Sequence, residues 1–375
     1  MAEAGKIKID LGPRSYWVHV RPGLMARTGP FLAEMFNTRR AIIITDSTVG
    51  ALYTRPLQDS LRTAGLNVHA IAFPAGEEHK NLATYNVVME RLLGLNPPID
   101  RRTMIVSLGG GVVGDLAGFV AATALRGVDF ISLPTTLLAA VDASVGGKTG
   151  LDAQAGKNLV GAFHQPRLVL IDTTLLTTLP AAQLRNGLAE CVKHAVVRDA
   201  TLLNFIAEKA PAILAAQPGP LAELILRNVA IKAAIVSADE HEKSLRALLN
   251  FGHTLGHALE TAAGYGGLSH GQAVSMGMVA ACHIAAARGL MHATHAAKVR
   301  SVLESLKLPV RFADLPTLDA KARDFQALLP IMGRDKKAAR GTVRWILPKG
   351  LGDAALFEDV KLEEVRKAIE YLNLS

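Results

Sequence analysis

Hydrophobic residues in the first half of the chain occur in short continuous runs rather than in an alternating pattern. Five such runs, separated by stretches with helical periodicity, are Ala41–Asp46, Val68–Phe73, Met104–Leu108, Phe130–Leu133 and Leu168–Asp172. Strands that are apolar on both faces are typical of parallel sheets covered by helices, because each βαβ crossover places a helix against the sheet. The first half is therefore predicted to be an α/β domain.

The pattern changes after Pro180, where Ala, Leu, Glu and Lys dominate and the hydrophobic period becomes helical. Strand signals nearly vanish until Thr342–Leu347. We place a boundary near Thr178–Pro180 and predict an α/β domain at residues 1–179 and a mostly α-helical domain at residues 180–375. A ligand crevice is expected between the two.

Composition excludes several classes of protein. Half of the 375 residues are apolar and a fifth are charged, as in a globular chain. The net charge of +8 favours acidic partners, but no Lys/Arg cluster with interleaved aromatic residues occurs, so we expect no nucleic acid. Cys191 and Cys282 lie in apolar helical patterns and are predicted to be core thiols in a reducing compartment.

The sequence also argues against a membrane partner. The first ten residues lack the apolar stretch of a signal peptide. The most apolar long segment, Ala273–Ala287, contains His283 and is too short to span a bilayer, so it is predicted to be a buried core helix. We expect a cytoplasmic protein.

A glycine-rich turn in the first half indicates a nucleotide site. Gly109–Asp115 follows a strand, opens a helical pattern and has the spacing G-x-G-x-x-G, in which glycines allow a pyrophosphate to approach the helix N-terminus. No acidic residue ends a strand about 20 residues later, as the usual dinucleotide fold requires. Asp46, which ends an earlier strand, is either a ribose-binding residue or a helix N-cap. Pro74–Lys80 adds a turn with an acid and a lysine after another strand.

A second glycine turn places a carboxylate and an ammonium group close together. Asp142 and Lys148 flank Gly146-Gly147. The segment ends like an ATP-binding P-loop, but Asp142 occupies the position of the first required glycine, so we reject that reading.

Metal-ligand residues are abundant in the second half. Glu190 and His194 share one helix face, His253, His257 and Glu260 share another, and His270 follows a glycine-rich break. A catalytic zinc-type site needs about three nitrogen or oxygen ligands and an open position. Three histidines within 18 residues favour such a site, but their spacing leaves open which residues are ligands.

These motifs and several others resemble those of the 3-dehydroquinate synthases, a family of the sugar-phosphate cyclase superfamily, over nearly the full length. The matching segments are Gly109–Asp115, Gly118–Ala122, Leu125–Gly127, Pro134–Leu138, Val141–Thr149, Gly156–Asn158, Gly187–Glu190, Leu249–His257 and Asp335–Lys337. The chain departs from the family pattern at Ala182-Gln183, Ser244, Ser269 and Gln272.

The resemblance implies two cofactors, NAD and a divalent metal ion, zinc or cobalt. The implied metal ligands are Glu190, His253 and His270. The implied NAD site consists of Asp46, Gly76, Glu77, Lys80, Gly111, Val112, Val113, Gly114, Asp115, Thr135, Thr136, Lys148, Lys157, Leu175, Leu176, Thr177 and Thr178.

The resemblance also implies a substrate with a phosphate at one end and a carboxylate at the other. The implied phosphate cluster consists of Lys148, Asn158, Asn250, His257, Lys336 and, from a neighbouring subunit, Arg126. Lys232 and Arg246 correspond to the carboxylate site, and Asn250 is retained with them. The implied catalytic residues are Asp142, Lys193 and Glu242, around the substrate hydroxyls, and His257. Because Arg126 is shared, a homodimer is expected.

The implied reaction converts 3-deoxy-D-arabino-heptulosonate 7-phosphate into 3-dehydroquinate and phosphate in the shikimate pathway. It comprises alcohol oxidation, phosphate elimination, ketone reduction, ring opening and an intramolecular aldol reaction. The alternatives are a cyclase of the aminodehydroquinate or sedoheptulose 7-phosphate type and a metal-dependent NAD polyol dehydrogenase. A non-enzymatic basic scaffold is a further, weaker alternative.

Overall fold

The computed structural model describes residues 5–242, 244–264, 267–316, 318–332 and 342–374. Within these ranges the strands are β1 (Lys6–Ile9), β2 (Tyr16–Arg21), β3 (Arg40–Asp46), β4 (Asn67–Phe73), β5 (Met104–Gly109), β6 (Phe130–Pro134), β7 (Lys148–Ala153), β8 (Gly156–Phe163), β9 (Leu168–Asp172), β10 (Thr342–Gly350) and β11 (Asp353–Lys361). The α-helices are α1 (Thr28–Met35), α2 (Ser47–Thr63), α3 (Leu82–Leu93), α4 (Gly111–Thr123), α5 (Ala181–Arg198), α6 (Ala200–Leu214), α7 (Pro218–Ala238), α8 (His253–Ala263), α9 (His270–Ala287), α10 (Ala293–Ser305), α11 (Phe325–Met332) and α12 (Leu362–Leu374).

Seven strands form one sheet in the order β1-β2-β9-β6-β5-β3-β4. All neighbouring pairs are parallel except β1 with β2. The five predicted strands are confirmed as β3, β4, β5, β6 and β9. β1 and β2 were not predicted, because their buried positions alternate with half-buried or exposed ones instead of forming a continuous apolar run.

Both faces of the sheet are buried at β3, β5, β6 and β9, which explains the continuous apolar runs of these strands. Ile42 and Ile44 of β3 face a cluster that includes residues of α3 and α4. Ala41 and Ile43 face the opposite side, where they pack with residues of α1 and α2. Successive side chains of a strand point to opposite faces, so a strand covered on both sides must be apolar at every position.

The strand order changes direction between β3 and β5. The chain leaves β3 for β4 on one side of it and then crosses to β5 on the other side. Crossovers that diverge from neighbouring strands leave a crevice at the carboxyl ends of those strands, which is where ligands bind in open α/β sheets. Asp46 ends β3 and Gly109 ends β5, so both residues lie at this point.

The remaining strands form two hairpins. β7 pairs antiparallel with β8, and β10 pairs antiparallel with β11. The strand signal at Thr342–Leu347 is confirmed as β10, while β7, β8 and β11 were not predicted. The mostly helical character after Pro180 is confirmed by α5–α12.

The chain divides into two compact units that do not follow a single boundary. The first comprises Met1–Pro180 and Leu221–His241, and the second comprises Ala181–Pro220 and Glu242–Ser375. The division at 179/180 therefore needs a correction, because Leu221–His241, which includes most of α7, belongs to the first unit.

Polar contacts within the first unit explain why α7 belongs there. The Ser237 hydroxyl accepts a hydrogen bond from the Asp10 amide at 3.0 Å. Just beyond the helix, the Glu240 carboxylate pairs with Arg14 at 2.7 Å. Neither contact could be inferred from the apolar pattern of the helix.

Three other expectations concern burial. Cys191 and Cys282 are free and buried, as predicted. The predicted core helix is α9, and most of its residues are buried. Across the described ranges, no helix combines the length and the apolar character needed to cross a bilayer.

Candidate active site

The residues predicted to bind NAD follow the carboxyl ends of five parallel strands in the first unit. Asp46 ends β3, Gly76–Lys80 follows β4, Gly111–Asp115 follows β5, Thr135-Thr136 follows β6, and Leu175–Thr178 follows β9. Because the carboxyl ends of parallel strands meet at one edge of a sheet, the fold brings these segments to the same edge. Lys148 and Lys157, by contrast, lie on the β7–β8 hairpin.

Asp46 is an N-cap. Its Oδ1 accepts hydrogen bonds from the amides of Thr48 and Val49, both at 2.8 Å, at the start of α2. A carboxylate in this position satisfies backbone donors that have no partner within the helix. Of the two alternatives, the capping role is therefore present, and ribose binding remains a prediction for the other carboxylate oxygen.

The glycine turn after β5 has the local structure that its sequence predicts. Gly110 is the N-cap of α4, which begins at Gly111. A Cβ atom on Gly109 would overlap the side chain of Val113, so glycine is required for the strand to meet the helix this closely. The first amides of α4 point out of the helix without intrahelical partners, which makes this N-terminus suitable for an anionic group.

Lys80 joins the turn after β4 to α4 and to the hairpin. Its Nζ lies 2.5 Å from Asp115 Oδ2 and donates to Asn158 Oδ1, also at 2.5 Å. The Asn158 amide in turn donates to Asp152 Oδ1 at 2.8 Å. Burial opposes the charge of Lys80, but Asp115 raises the pKa of Lys80 above its ordinary value. Asn158, predicted to contact phosphate, therefore lies beside two predicted NAD residues.

The three predicted metal ligands come from three helices of the second unit. Glu190 lies in the middle of α5, His253 is the first residue of α8, and His270 is the first residue of α9. Gly252, with a left-handed backbone at φ 80°, is the N-cap of α8. Residues at helix starts project away from the helix body, so the two imidazoles can converge on one carboxylate.

Two of the three distances between their ligand atoms are close to those of a tetrahedral metal site. Glu190 Oε1 lies 3.7 Å from His253 Nε2 and 3.2 Å from His270 Nε2. All three ligand atoms lie within 4.8 Å of one another. Two ligand atoms at about 2.1 Å from a tetrahedral zinc ion lie about 3.4 Å apart. Two imidazole nitrogens and one carboxylate form a donor set suited to zinc or cobalt, so these residues fit the implied metal.

The second ring nitrogen of each imidazole, Nδ1, also has a hydrogen-bond partner. His253 Nδ1 lies 3.1 Å from the carbonyl oxygen of Phe251, and His270 Nδ1 lies 3.1 Å from Glu260 Oε2. When Nδ1 carries the proton, Nε2 presents its lone pair to the shared site. This role of Glu260 was not predicted, although Glu260 follows His257 by three residues on the same helix.

The charges around the two histidines differ. Burial, only partly opposed by Glu190, lowers the pKa of His253 to about 3, so this imidazole is neutral. Burial also acts to lower the pKa of His270, but hydrogen bonds to Glu190 and Glu260 outweigh it and raise the pKa to about 10. A positive charge between these two carboxylates is therefore favoured, and a divalent cation would supply it in place of a proton.

Close packing of α9 against its neighbours makes this convergence possible. A Cβ atom on Gly271 would overlap the backbone of Asn186 in α5, and one on Gly277 would overlap the carbonyl oxygen of Gly252. The α9 start is fixed by a capping box, in which the Ser269 amide donates to Gln272 Oε1 at 3.0 Å and the Gln272 amide donates to Ser269 Oγ at 3.4 Å. Two departures from the family pattern thus have a structural role beside His270.

The predicted catalytic and substrate residues fall into pairs within each unit. In the first unit, Lys232 is ion-paired with Asp142, which lies on a single π-helical turn, Ala139–Ala143. In the second unit, buried Lys193 is ion-paired with Glu190, and Asn250 Nδ2 donates to Glu242 Oε1 at 3.2 Å. These pairings were not predicted.

The other predicted substrate residues differ in exposure. Arg246 is 2% exposed, in the short 3-10 helix Leu245–Asn250, whereas Lys148 and His257 are exposed. Arg126 is exposed in a turn with a left-handed backbone at φ 66°. Lys336 lies outside the described residues.

Comparison with proteins of known structure shows the class of protein to which this fold belongs. The structure is similar to that of a 2-epi-5-epi-valiolone synthase from Streptomyces hygroscopicus subsp. jinggangensis with NAD+ and Zn2+ bound, at a TM-score of 0.85 and 32% identity, covering 95% of this chain and 96% of that one. It is also similar to a 2-deoxy-scyllo-inosose synthase complexed with carbaglucose-6-phosphate, NAD+ and Co2+, at a TM-score of 0.85 and 27% identity, covering 98% and 99%. The fold is that of these two synthases.

The sequence comparisons define the family. Residues 70–186 match the family model of the 3-dehydroquinate synthase N-terminal domain, and residues 187–338 match that of the C-terminal domain. A 3-dehydroquinate synthase from Geobacter metallireducens is 44% identical over 364 residues, which cover 97% of this chain and 98% of the relative. The chain belongs to the 3-dehydroquinate synthase family.

Proposed function

We propose that this protein is a 3-dehydroquinate synthase that uses NAD and a divalent metal ion, zinc or cobalt. Its substrate is 3-deoxy-D-arabino-heptulosonate 7-phosphate, and its products are 3-dehydroquinate and phosphate. The observation that carries the proposal is the convergence of Glu190, His253 and His270, whose ligand atoms lie within 4.8 Å of one another, in a chain of this family. The direct test is incubation of the protein with this substrate, NAD and zinc while phosphate and dehydroquinate are both measured.

The metal site is proposed to hold the reacting alcohol of the substrate. The bound metal supplies Lewis acidity, which lowers the pKa of a coordinated alcohol. Glu190, His253 and His270 would hold the ion, and three protein ligands are typical of catalytic zinc sites. Lys193, buried beside Glu190, places a positive charge next to the ligand set and is proposed to act with Glu242 at the substrate hydroxyls.

The NAD site is proposed at the carboxyl edge of the parallel sheet. The α4 N-terminus at Gly111–Asp115 suits the pyrophosphate, because its amides and the helix dipole attract anions. Asp46 is placed at the crossover point between β3 and β5, where its second oxygen is suited to ribose hydroxyls. Lys80, held by Asp115, adds a fixed positive charge near the same edge.

The substrate is proposed to be oriented by its two anionic ends. Arg246 binds the carboxylate with the planar, two-pronged geometry of a guanidinium group. The phosphate is bound by Lys148, Asn158, Asn250, His257 and Lys336, together with Arg126 from a neighbouring subunit. Lys232 is ion-paired with Asp142 at the turn before β7. We propose that the Lys232 ammonium group and the Asp142 carboxylate both lie next to the bound substrate.

Catalytic rather than stoichiometric use of NAD is the expected kinetic result. The atoms of the heptulosonate phosphate equal those of dehydroquinate plus phosphoric acid, so the overall reaction transfers no net electrons. Turnover should require NAD, yet absorbance from free NADH should not rise with product. A steady rise in NADH that matches product formation would instead identify a polyol dehydrogenase.

A homodimer with shared sites is proposed because Arg126 is implied to serve a neighbouring subunit. Arg126→Ala and Lys148→Ala should each be nearly inactive alone but partly active when mixed. In a hybrid dimer one site receives both changes and the other receives neither. Each hybrid dimer should therefore have up to about half of the activity of an unaltered dimer. No recovery after verified subunit exchange would contradict the shared site.

A further inference from the structure

We propose that Glu260 is a positioning residue that fixes the orientation and tautomer of His270 at the metal site. The proposal rests on the metal site proposed above. It assigns to Glu260 no contact with substrate or metal. Its whole effect is exerted through the imidazole ring of His270.

The geometry of His270 carries this inference. Its Nε2 lies 3.2 Å from Glu190 Oε1, and its Nδ1 lies 3.1 Å from Glu260 Oε2. A carboxylate can only accept a hydrogen bond, so Nδ1 must carry a proton and donate it to Glu260. Nε2 faces the other two ligands, so it is the nitrogen whose lone pair becomes available when a metal ion replaces the proton that it shares with Glu190. Glu260 therefore selects the tautomer that can bind a metal ion.

The negative charge of Glu260 adds a second effect. A carboxylate on the outer nitrogen of a metal-bound histidine raises the basicity of the ring, and such partners typically change metal affinity by about 10- to 100-fold. The Glu260 side chain is only 12% exposed, so solvent screens its interaction with His270 weakly. The effect should therefore lie within this range.

His253 provides an internal comparison within the same ligand set. Its Nδ1 lies 3.1 Å from the backbone carbonyl of Phe251, a partner that no side-chain substitution removes. The two imidazoles are thus oriented by different means, one by backbone and one by the Glu260 side chain. Only the orientation of His270 can be altered without touching a ligand.

A competing interpretation makes Glu260 a ligand. His257, Glu260 and His270 also offer ligand atoms within 4.8 Å of one another, and the two sets share His270. In this second set His257 is exposed, and Glu260 is already the hydrogen-bond acceptor of His270 Nδ1. A metal ion there would have to replace that proton. We therefore assign the metal to the first set and the orienting role to Glu260.

Zinc affinity, measured by competition with a chromophoric chelator, tests the assignment. Glu260→Ala should bind Zn2+ about 10- to 100-fold more weakly than the unaltered chain. Glu260→Gln should lose less, because the amide oxygen still accepts the His270 proton although the charge is gone. Glu208→Gln, which removes an exposed carboxylate from α6 of the same unit, is the matched control and should leave the affinity unchanged. Circular dichroism checks that each variant is folded.

A second readout separates an orienting residue from a ligand or a structural residue. The visible bands of the Co2+ form report the atoms bound to the metal, and they should keep their positions in Glu260→Gln. Shifted bands, or two zinc ions per unaltered chain of which one is lost in Glu260→Ala, would overturn the proposal in favour of a ligand role. A uniform loss of folding without rescue by glutamine would also overturn it.

The variant His253→Ala keeps this inference distinct from the proposed function. If His253→Ala loses tight zinc binding while Glu260→Ala binds zinc as the unaltered chain does, the metal site stands and the role of Glu260 is refuted. If both variants bind zinc normally, the proposed metal site itself is wrong.

Discussion

Purified His253→Ala and His270→Ala variants are each expected to contain almost no tightly bound metal and to lose nearly all activity. Each change removes one of two imidazole nitrogens that lie within 3.7 Å of Glu190 Oε1 and leaves two ligands. Three protein ligands are typical of catalytic zinc sites, and loss of a direct ligand should exceed the roughly 10- to 100-fold effect of losing an outer partner. Elemental analysis after dialysis against a weak chelator measures the outcome.

His257→Ala is the matched control, because it removes an imidazole from the same helix without touching the ligand set. The His257 ring lies 5.1 Å from that of His253 but is exposed, and its expected role is phosphate binding. This variant should keep its metal and lose activity through weaker substrate binding. Metal lost from His257→Ala and retained by His253→Ala would reverse the assignment and place the ion with His257, Glu260 and His270.

The parallel sheet could be predicted because its physical signal is strong. A strand covered on both faces is buried at nearly every position, and β3, β5, β6 and β9 all show this pattern. β4, at the edge of the sheet, alternates between buried and more exposed positions although its sequence is mostly apolar. β1 at the edge of the sheet and β2 beside it have buried positions that alternate with more exposed ones, so no continuous run is present. In the β7–β8 hairpin, β7 is mostly buried and β8 is mostly exposed. Both strands contain glycine and charged or amide residues, so neither forms the continuous apolar run from which the other strands were predicted.

The metal site was only partly predictable. Histidine spacing indicated a site but could not choose among His253, His257 and His270, because the choice depends on where α8 and α9 begin. The resemblance selected the set, and the geometry of the three helices is consistent with it. The hydrogen bond from His270 to Glu260 and the pairing of Lys232 with Asp142 depend on tertiary contacts that no local pattern encodes.

Substitution of Arg246 by alanine is expected to weaken binding of the heptulosonate phosphate strongly while leaving NAD and metal binding nearly unchanged. Arg246 is almost fully buried, so its charge is poorly solvated and a substrate carboxylate gains a strong pair with it. Truncating one partner of such a pair typically costs about 2–5 kcal/mol, which corresponds to roughly 30-fold to several thousand-fold in affinity. Arg246 is chosen rather than Lys232 because truncation of Lys232 would also remove the ion-pair partner of Asp142.

Arg246→Lys should recover only part of this loss, because a single ammonium group cannot reproduce the two parallel hydrogen bonds of a guanidinium group. Retained NAD and zinc binding in both variants verifies that the fold survives removal of a buried side chain. The unaltered enzyme should be a poor catalyst with sedoheptulose 7-phosphate, since that substrate lacks the carboxylate and leaves Arg246 without its anion. An amino-substituted heptulosonate would keep the carboxylate, so product analysis is needed to distinguish it. The measurement is kcat/KM for the heptulosonate phosphate and for sedoheptulose 7-phosphate. Equal kcat/KM for both substrates, or unchanged kinetics of Arg246→Ala with the heptulosonate phosphate, would contradict recognition of the carboxylate. The substrate would then be a sugar phosphate without a carboxylate.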